Sequence, residues 1–177
     1  MAKNNLMDYL RVNSVYKKNL IRDVLECVQA IHNSGISHLD LKQENILMMD
    51  RKPVLCDFSV SSFSKYFMDN TCCSLPYRPP EILCEDNGGQ RAIDTNPEKI
   101  DVWSTALIIL EIYKGEFIFR KDIDPQVLYG KIMDGKTLHK HLGKVDSVFK
   151  DLIEKMTTIE PKKRINIKEA LEHSYFK

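Results

Sequence analysis

The spacing of apolar residues divides most of the chain into helices. Apolar side chains recur at helical intervals over residues 16–33, which predicts a helix with one buried face, ended by Gly35 in a left-handed conformation. A short amphipathic piece at residues 6–10 precedes it. Two more amphipathic helices are expected near the C-terminus. One begins at Asp146 or Ser147 and runs to 156, and the last follows Asn166 as its N-cap.

Two other patterns place the core and a small sheet. Residues 101–113 are apolar on every side, which is typical of a helix in the middle of a core. The short apolar runs 46–48 and 54–56 flank a polar turn at 50–53, which predicts a β-hairpin with Asn45 at its entrance and Asp57 at its exit. Segments 59–74 and 84–98 are polar loops in this interpretation. The predicted fold class is mainly α, with one small β-hairpin.

Composition narrows the class of protein. At 177 residues with a net charge of +1, the chain predicts one domain, with no nucleic-acid surface and no basic membrane face. Its five cysteines are an odd number without regular spacing, which favours free thiols in a reducing compartment. No apolar run has the length of a signal or a membrane span. These features predict a soluble intracellular protein, cytoplasmic or nuclear.

Candidate chemistry is concentrated in residues 38–45, which form the pattern H-x-D-L-K-x-x-N. Asp57 follows Asn45 after the predicted hairpin, and it opens the triplet Asp-Phe-Ser. Phosphoryl transfer needs a carboxylate near the attacking hydroxyl, a cation for the moving phosphate and oxygen ligands for Mg²⁺. This short stretch and the residues after the hairpin supply all of these groups.

The same stretch resembles the catalytic loop of eukaryotic-type serine/threonine protein kinases. Three further motifs follow in the order found in the C-terminal lobe of that family: P-P-E at 79–81 resembles A-P-E, D-V-W-S at 101–104 resembles D-x-W-S, and Arg164 ends a P-x-x-R pattern. The resemblance covers essentially the whole chain, residues 1–177. It implies a kinase-like C-lobe, a helical lobe around a buried central helix in which the hairpin carries the catalytic and metal loops.

The resemblance implies a role for each residue that matches a motif. Asp40 would be the catalytic base, and Lys42 would stabilise charge on the γ-phosphate of ATP. Asn45 and Asp57 would hold Mg²⁺. Glu44 would meet a basic residue of the protein substrate. The expected cofactors are therefore ATP and Mg²⁺, and the expected reaction is transfer of a phosphoryl group to serine or threonine.

Other matching residues would support the site. The resemblance implies that His38 ties the catalytic loop to the metal-binding aspartate and that Ser74 bonds to the catalytic aspartate and lysine. Asp101 would brace the backbone of the catalytic loop. An ion pair between Glu81 and Arg164 is also expected.

The sequence departs from the family pattern at several positions. Leu39 replaces an arginine that normally receives an activation-loop phosphate, so phosphorylation of Thr71 or Ser74 is not expected to be the switch. Ser59 replaces a glycine and restricts the backbone there. Ala106 replaces another glycine without removing a catalytic group.

The largest departure is that the sequence contains no G-x-G-x-x-G and no V-A-I-K-like strand before the catalytic loop. The N-terminal lobe is therefore expected to be absent, and the isolated chain is expected to be weakly active at best. Three hypotheses stay open: a kinase that is truncated or completed by a separate N-lobe, a decoy or scaffold that docks kinases or their substrates, and a degraded gene product. The expected partners are a protein substrate and a separate N-lobe or another kinase.

Overall fold

Helices dominate the computed structural model, which describes residues 4–6, 17–63, 72–86 and 96–177. Seven α-helices lie in these ranges: α1 Lys17–Asn33, α2 Pro80–Asp86, α3 Pro97–Lys114, α4 Pro125–Met133, α5 Lys136–Leu142, α6 Ser147–Met156 and α7 Ile167–Leu171. Among them, none combines the length and apolarity that crossing a bilayer requires. The predicted amphipathic piece at 6–10 lies outside the described residues except for Leu6, which is buried.

The predicted hairpin is present and is joined by a third short strand. The antiparallel order is β1 Asn4–Asn5, β2 Ile46–Met49 and β3 Lys52–Leu55. The turn is shorter than predicted: Asp50 and Arg51 both have positive φ, 48° and 67°, which is typical of a two-residue type I′ hairpin turn. Pro53 therefore lies in β3, opposite Met48. A proline is tolerated there because β3 is an edge strand of this sheet.

Helix α3 forms the centre of the core, as the all-round apolar pattern predicts. It begins earlier than expected, because Asn96 caps it by accepting a 2.9 Å hydrogen bond from the backbone N–H of Glu98, and Pro97 occupies the first turn. The prediction of a loop through residue 98 is wrong for this reason. Gly115 ends the helix with a φ of 76°, a left-handed value that glycine adopts without strain.

The remaining helices divide into those predicted and those missed. Helix α1 covers the predicted range from residue 17, and Asp146 caps α6 as expected. Asn166 and Glu169 form a reciprocal capping box at α7, which confirms the predicted N-cap. Helices α4 and α5 were not predicted. A start signal for α4 was available in Asp124, whose carboxylate accepts hydrogen bonds from two backbone N–H groups of the first turn.

The predicted ion pair between Glu81 and Arg164 is confirmed. It is bidentate, with N–O distances of 2.8 and 2.9 Å, and both side chains are buried. The guanidinium also donates to the carbonyl of Lys99 at 2.6 Å and lies over the ring of Trp103. This one arginine therefore ties α2 and α3 to the segment that precedes α7.

Replacing Arg164 with methionine is expected to lower the free energy of unfolding by about 3–5 kcal/mol, because the carboxylate of Glu81 would stay buried without its cation. Urea denaturation followed by circular dichroism measures the change. Arg120→Met is the matched control, since Arg120 also makes a bidentate pair, with Asp122, but on the exposed surface. The control should leave the denaturation midpoint unchanged. Equal effects of the two substitutions would contradict the assignment.

Candidate active site

The carboxylate of Asp101 holds the start of the loop of residues 38–45, which is called the catalytic loop below after the motif that it resembles. It accepts backbone hydrogen bonds from His38 at 2.7 Å and Leu39 at 2.9 Å, which is the bracing contact that the sequence comparison predicts. Asp101 is fully buried, and its third partner is the imidazole Nε2 of His32 at 2.9 Å. The sequence analysis did not identify His32. Its position near the end of α1 indicates only that it belongs to a helix. The loop is thus attached to both α1 and α3.

Leu39 has a backbone conformation that leucine rarely adopts, with a φ of 65°. Its carbonyl accepts a 2.8 Å hydrogen bond from the backbone N–H of Cys73, so the loop is fixed from both sides. Its side chain is buried in a small apolar cluster with Cys72, Cys73, Ile82 and Ile100. The residue that replaces the family's arginine therefore joins the catalytic loop to the segment before α2 by apolar packing. Thr71 lies outside the described residues.

His38 connects the catalytic loop to the segment that leads to Asp57. Its Nδ1 accepts from the backbone N–H of Asp40 at 3.3 Å, so the ring proton belongs on Nε2, which donates to the carbonyl of Cys56 at 3.0 Å. The ring also lies 4.8 Å from the ring of Phe58. Since both nitrogens have structural partners, His38 acts here as a connector, as expected from the sequence.

Asp40, Lys42 and Ser74 form a triangle of hydrogen bonds. Lys42 Nζ donates to Asp40 Oδ2 at 2.7 Å and to Ser74 Oγ at 2.9 Å. Asp40 Oδ1 accepts from both the backbone N–H and the hydroxyl of Ser74 at 2.9 Å. Partial burial opposes ionisation of Asp40, but the hydrogen bonds from Lys42 and Ser74 outweigh it and hold the pKa of this carboxyl below its usual value. Asp40 is therefore a carboxylate at neutral pH.

Asn45 and Asp57 lie at the same end of the hairpin, as predicted. Asn45 donates from its amide nitrogen to the carbonyl oxygen of Asp40 at 2.9 Å and to Asp40 Oδ2 at 3.2 Å, so these two bonds do not use its amide oxygen. The backbone N–H of Cys56 donates to the carbonyl of Asn45 at 3.0 Å and brings Asp57 alongside. Asp57 is exposed, so its carboxylate is accessible from solvent. One amide oxygen and one carboxylate fit Mg²⁺, which prefers a few oxygen ligands plus water and phosphate.

Ser59 does not adopt a positive φ, so the backbone there does not need glycine. The positive φ falls on Asp57 instead, at 62°. The hydroxyl of Ser59 donates to Asp57 Oδ1 at 2.7 Å. The serine therefore supports the orientation of the Asp57 carboxylate, a contact that the substitution for glycine makes available.

A buried junction behind the catalytic loop was not predicted. Glu111 of α3 accepts hydrogen bonds from the amide of Gln43, from the hydroxyl of Tyr77 at 3.0 Å and from the backbone N–H of Ile118 at 3.2 Å. Burial raises the pKa of Glu111 to about 7, against these hydrogen bonds, which lower it. Within the apolar stretch 102–113 of α3, Glu111 is the one acidic residue, and that is the signal that could have identified it.

Glu44 faces solvent at the end of the catalytic loop and forms an ion pair with Lys121, in the segment between α3 and α4. The sequence comparison predicts a basic substrate residue as its partner. Within the described residues, the partner is a lysine of the same chain.

Comparison with known proteins identifies the family. The sequence matches the family model described as protein kinase domain over residues 1–176. A serine/threonine protein kinase of rice, Oryza sativa subsp. indica, is 31% identical over 97% of this chain and 33% of the relative. The carbon catabolite-derepressing protein kinase of Secale cereale is 30% identical over 97% of this chain and 34% of the relative. Maternal embryonic leucine zipper kinase of Xenopus laevis is 32% identical over 96% of this chain and 26% of the relative.

A fixed carboxylate with an asparagine and a second aspartate nearby is a set of groups that phosphoryl transfer can use. The match over residues 1–176 shows that the chain belongs to the protein kinase family. The chain spans about a third of the length of the first curated relatives it matches.

The raised pKa of Glu111 predicts that the free energy of unfolding depends on pH. Because its pKa rises from 4.5 in the unfolded chain to about 7 in the folded protein, the folded state holds this proton more tightly. The stabilisation is complete below pH 4.5 and is lost as the pH rises towards 7, by about 3 kcal/mol in total. Urea denaturation at several pH values between 5 and 8 measures it.

The variant that isolates this effect is Glu111→Gln, whose stability should vary less with pH than that of the unaltered protein. Glu172→Gln, at an exposed position, is the control and should follow the unaltered protein. Parallel curves for the unaltered protein and Glu111→Gln would show that Glu111 does not titrate in this range.

Proposed function

We propose that these 177 residues are the C-terminal lobe of a serine/threonine protein kinase domain. Their function would be phosphoryl transfer from ATP-Mg to serine or threonine hydroxyls of protein substrates. The observation that carries this proposal is the triangle of Asp40, Lys42 and Ser74, in which the distances run from 2.7 to 2.9 Å. A carboxylate fixed in this way can orient a substrate hydroxyl and accept its proton.

Each group of the triangle has a distinct task in this proposal. Asp40 positions the attacking hydroxyl, and its ionised state suits it to receive the proton. Lys42 places its positive charge beside the transferred phosphate. Ser74 holds both side chains in place. Asn45 and Asp57 would hold Mg²⁺, which would neutralise charge on the phosphate oxygens when bound.

The proposed nucleotide site is expected to bind ATP weakly. Small ligands bind well where most of their surface is enclosed, but Asp57 and Phe58 are exposed in this structure. The sequence also contains no glycine-rich loop that would cover a triphosphate. We therefore propose that efficient transfer depends on a second lobe that encloses the nucleotide, and that these 177 residues alone are weakly active.

A second candidate function is a docking module that binds kinases or their substrates without catalysis. The observation in its favour is an apolar surface directly after Asp57. Phe58, Val60 and Phe63 expose 42%, 41% and 78% of their surface, which is unusual for such side chains so close together. A partner that covers this surface would bury both it and the edge of the nucleotide site. The two functions differ in whether the chain binds Mg-ATP.

Calorimetry of the purified chain with Mg-ATP tests the nucleotide site. We expect weak binding that is lost in Asp57→Ala, because this substitution removes the carboxylate ligand. Asp50→Ala is a matched control, since Asp50 is also exposed and also has a positive φ, so both substitutions introduce similar backbone strain. The control should bind like the unaltered chain. No binding up to millimolar nucleotide would favour the docking function.

Transfer of labelled phosphate to a mixture of protein substrates tests catalysis. We expect a low rate that Asp40→Asn abolishes, because the amide cannot accept the proton. Asp50→Asn should keep the rate of the unaltered chain. A high rate that depends on Asp40 in the isolated chain would contradict the proposed need for a second lobe.

A further inference from the structure

Lys121 forms an ion pair with Glu44, the acidic residue next to the proposed phosphotransfer site. Glu44 lies two residues after Lys42 in the catalytic loop, and its carboxylate accepts from Lys121 Nζ. Both side chains are partly open to solvent, so a bound peptide could reach either of them. A basic residue of such a peptide would have to compete with Lys121 for the same carboxylate.

The segment that carries Lys121 is fixed at both ends. Ile118 and Phe119 are buried, and the backbone N–H of Ile118 donates to Glu111 at 3.2 Å. On the other side, Asp124 caps α4. Lys121 also lies 5.6 Å from the centre of the Phe117 ring, a favourable position for a cation. The lysine is therefore presented to Glu44 by an anchored loop.

The other acids of this region have partners within the chain. Glu111 is 1% exposed and accepts three hydrogen bonds. Asp122 forms a bidentate pair with Arg120, and Asp124 accepts from two backbone N–H groups of α4. Among the described residues near Lys121, each of these carboxylates is engaged. At each of these described acids, a basic substrate residue would have to compete with a hydrogen-bond donor of the chain itself.

We propose that Lys121 is a specificity-determining residue that blocks Glu44 and so removes the preference for basic residues beside the acceptor hydroxyl. This inference rests on the proposed function, because it assigns a substrate class to the same site. The favoured substrates are serine- or threonine-containing segments that lack arginine and lysine near the acceptor. Removing Lys121 would expose Glu44 and create a preference for basic peptides.

Fluorescence anisotropy with two labelled serine peptides tests this without requiring catalysis. One peptide carries arginines on both sides of the serine, and the other carries alanines in their place. Lys121→Ala should bind the arginine peptide roughly two- to fivefold more tightly than the unaltered chain, the range expected for an exposed ion pair. Binding of the alanine peptide should not change. The gain should shrink at high salt, because exposed charges are screened.

Two further variants separate a specific effect from a general change of charge. Lys131→Ala removes an equal charge from an exposed position on α4 and should leave both affinities unchanged. Lys121→Ala combined with Glu44→Gln should lose the gain. The proposal is overturned if Lys121→Ala shows no gain, including no detectable binding at millimolar peptide, if Lys131→Ala shows the same gain, or if the double variant keeps it.

Phosphorylation of the same peptides, measured in parallel, distinguishes this inference from the proposed function. A binding gain in Lys121→Ala, with no phosphorylation by any variant, would support the role of Lys121 and count against catalysis. Phosphorylation with the same peptide preference in the unaltered chain and in Lys121→Ala would support catalysis and overturn the role of Lys121.

Discussion

The carboxylate of Asp101 fixes the catalytic loop in a conformation that its own residues disfavour. The positive φ of Leu39 costs about 1–3 kcal/mol, whereas each hydrogen bond from a backbone N–H to a buried carboxylate contributes about 1.5–3 kcal/mol. Asp101 accepts two such bonds, from His38 and Leu39, so the interaction outweighs the strain. Because α3 is buried on all sides, this contact also fixes the position of Asp40 relative to the core.

The same backbone conformation determines how the segment before α2 is held. The left-handed turn at Leu39 directs its carbonyl to Cys73 and buries its side chain among apolar neighbours. Cys73 is followed directly by Ser74, which completes the triangle with Asp40 and Lys42. Apolar packing does not depend on an added phosphate, which supports the prediction that phosphorylation is not the switch here. That prediction stays open, because Thr71 lies outside the described residues.

Sequence reasoning identified the groups that belong to local motifs and missed those that depend on distant contacts. The catalytic loop, the hairpin and the caps of α6 and α7 are encoded within a few residues each, so pattern and capping rules predict them. His32, Glu111 and Lys121 make the hydrogen bonds to Asp101, Tyr77 and Glu44 across 34 to 77 residues of sequence, and the spacing of apolar residues carries no information about such distant contacts. The Glu81–Arg164 pair is equally distant and was predicted only because a family resemblance supplied the partner.

The proposed site has two parts, the residues around Asp40 that would accept the proton and the residues around Asp57 that would bind the nucleotide, and the structure supports them unequally. The partners that keep Asp40 ionised, Lys42 and Ser74, lie in the chain and are attached to the core through Asp101 and Leu39. Proton handling is therefore supported by the residues described here. The described residues do not enclose a nucleotide in the same way, because Asp57 is exposed and lies beside the exposed apolar side chains that follow it. A partner that covers this edge would add enclosure without having to reorganise Asp40, so the two halves can be separated by experiment.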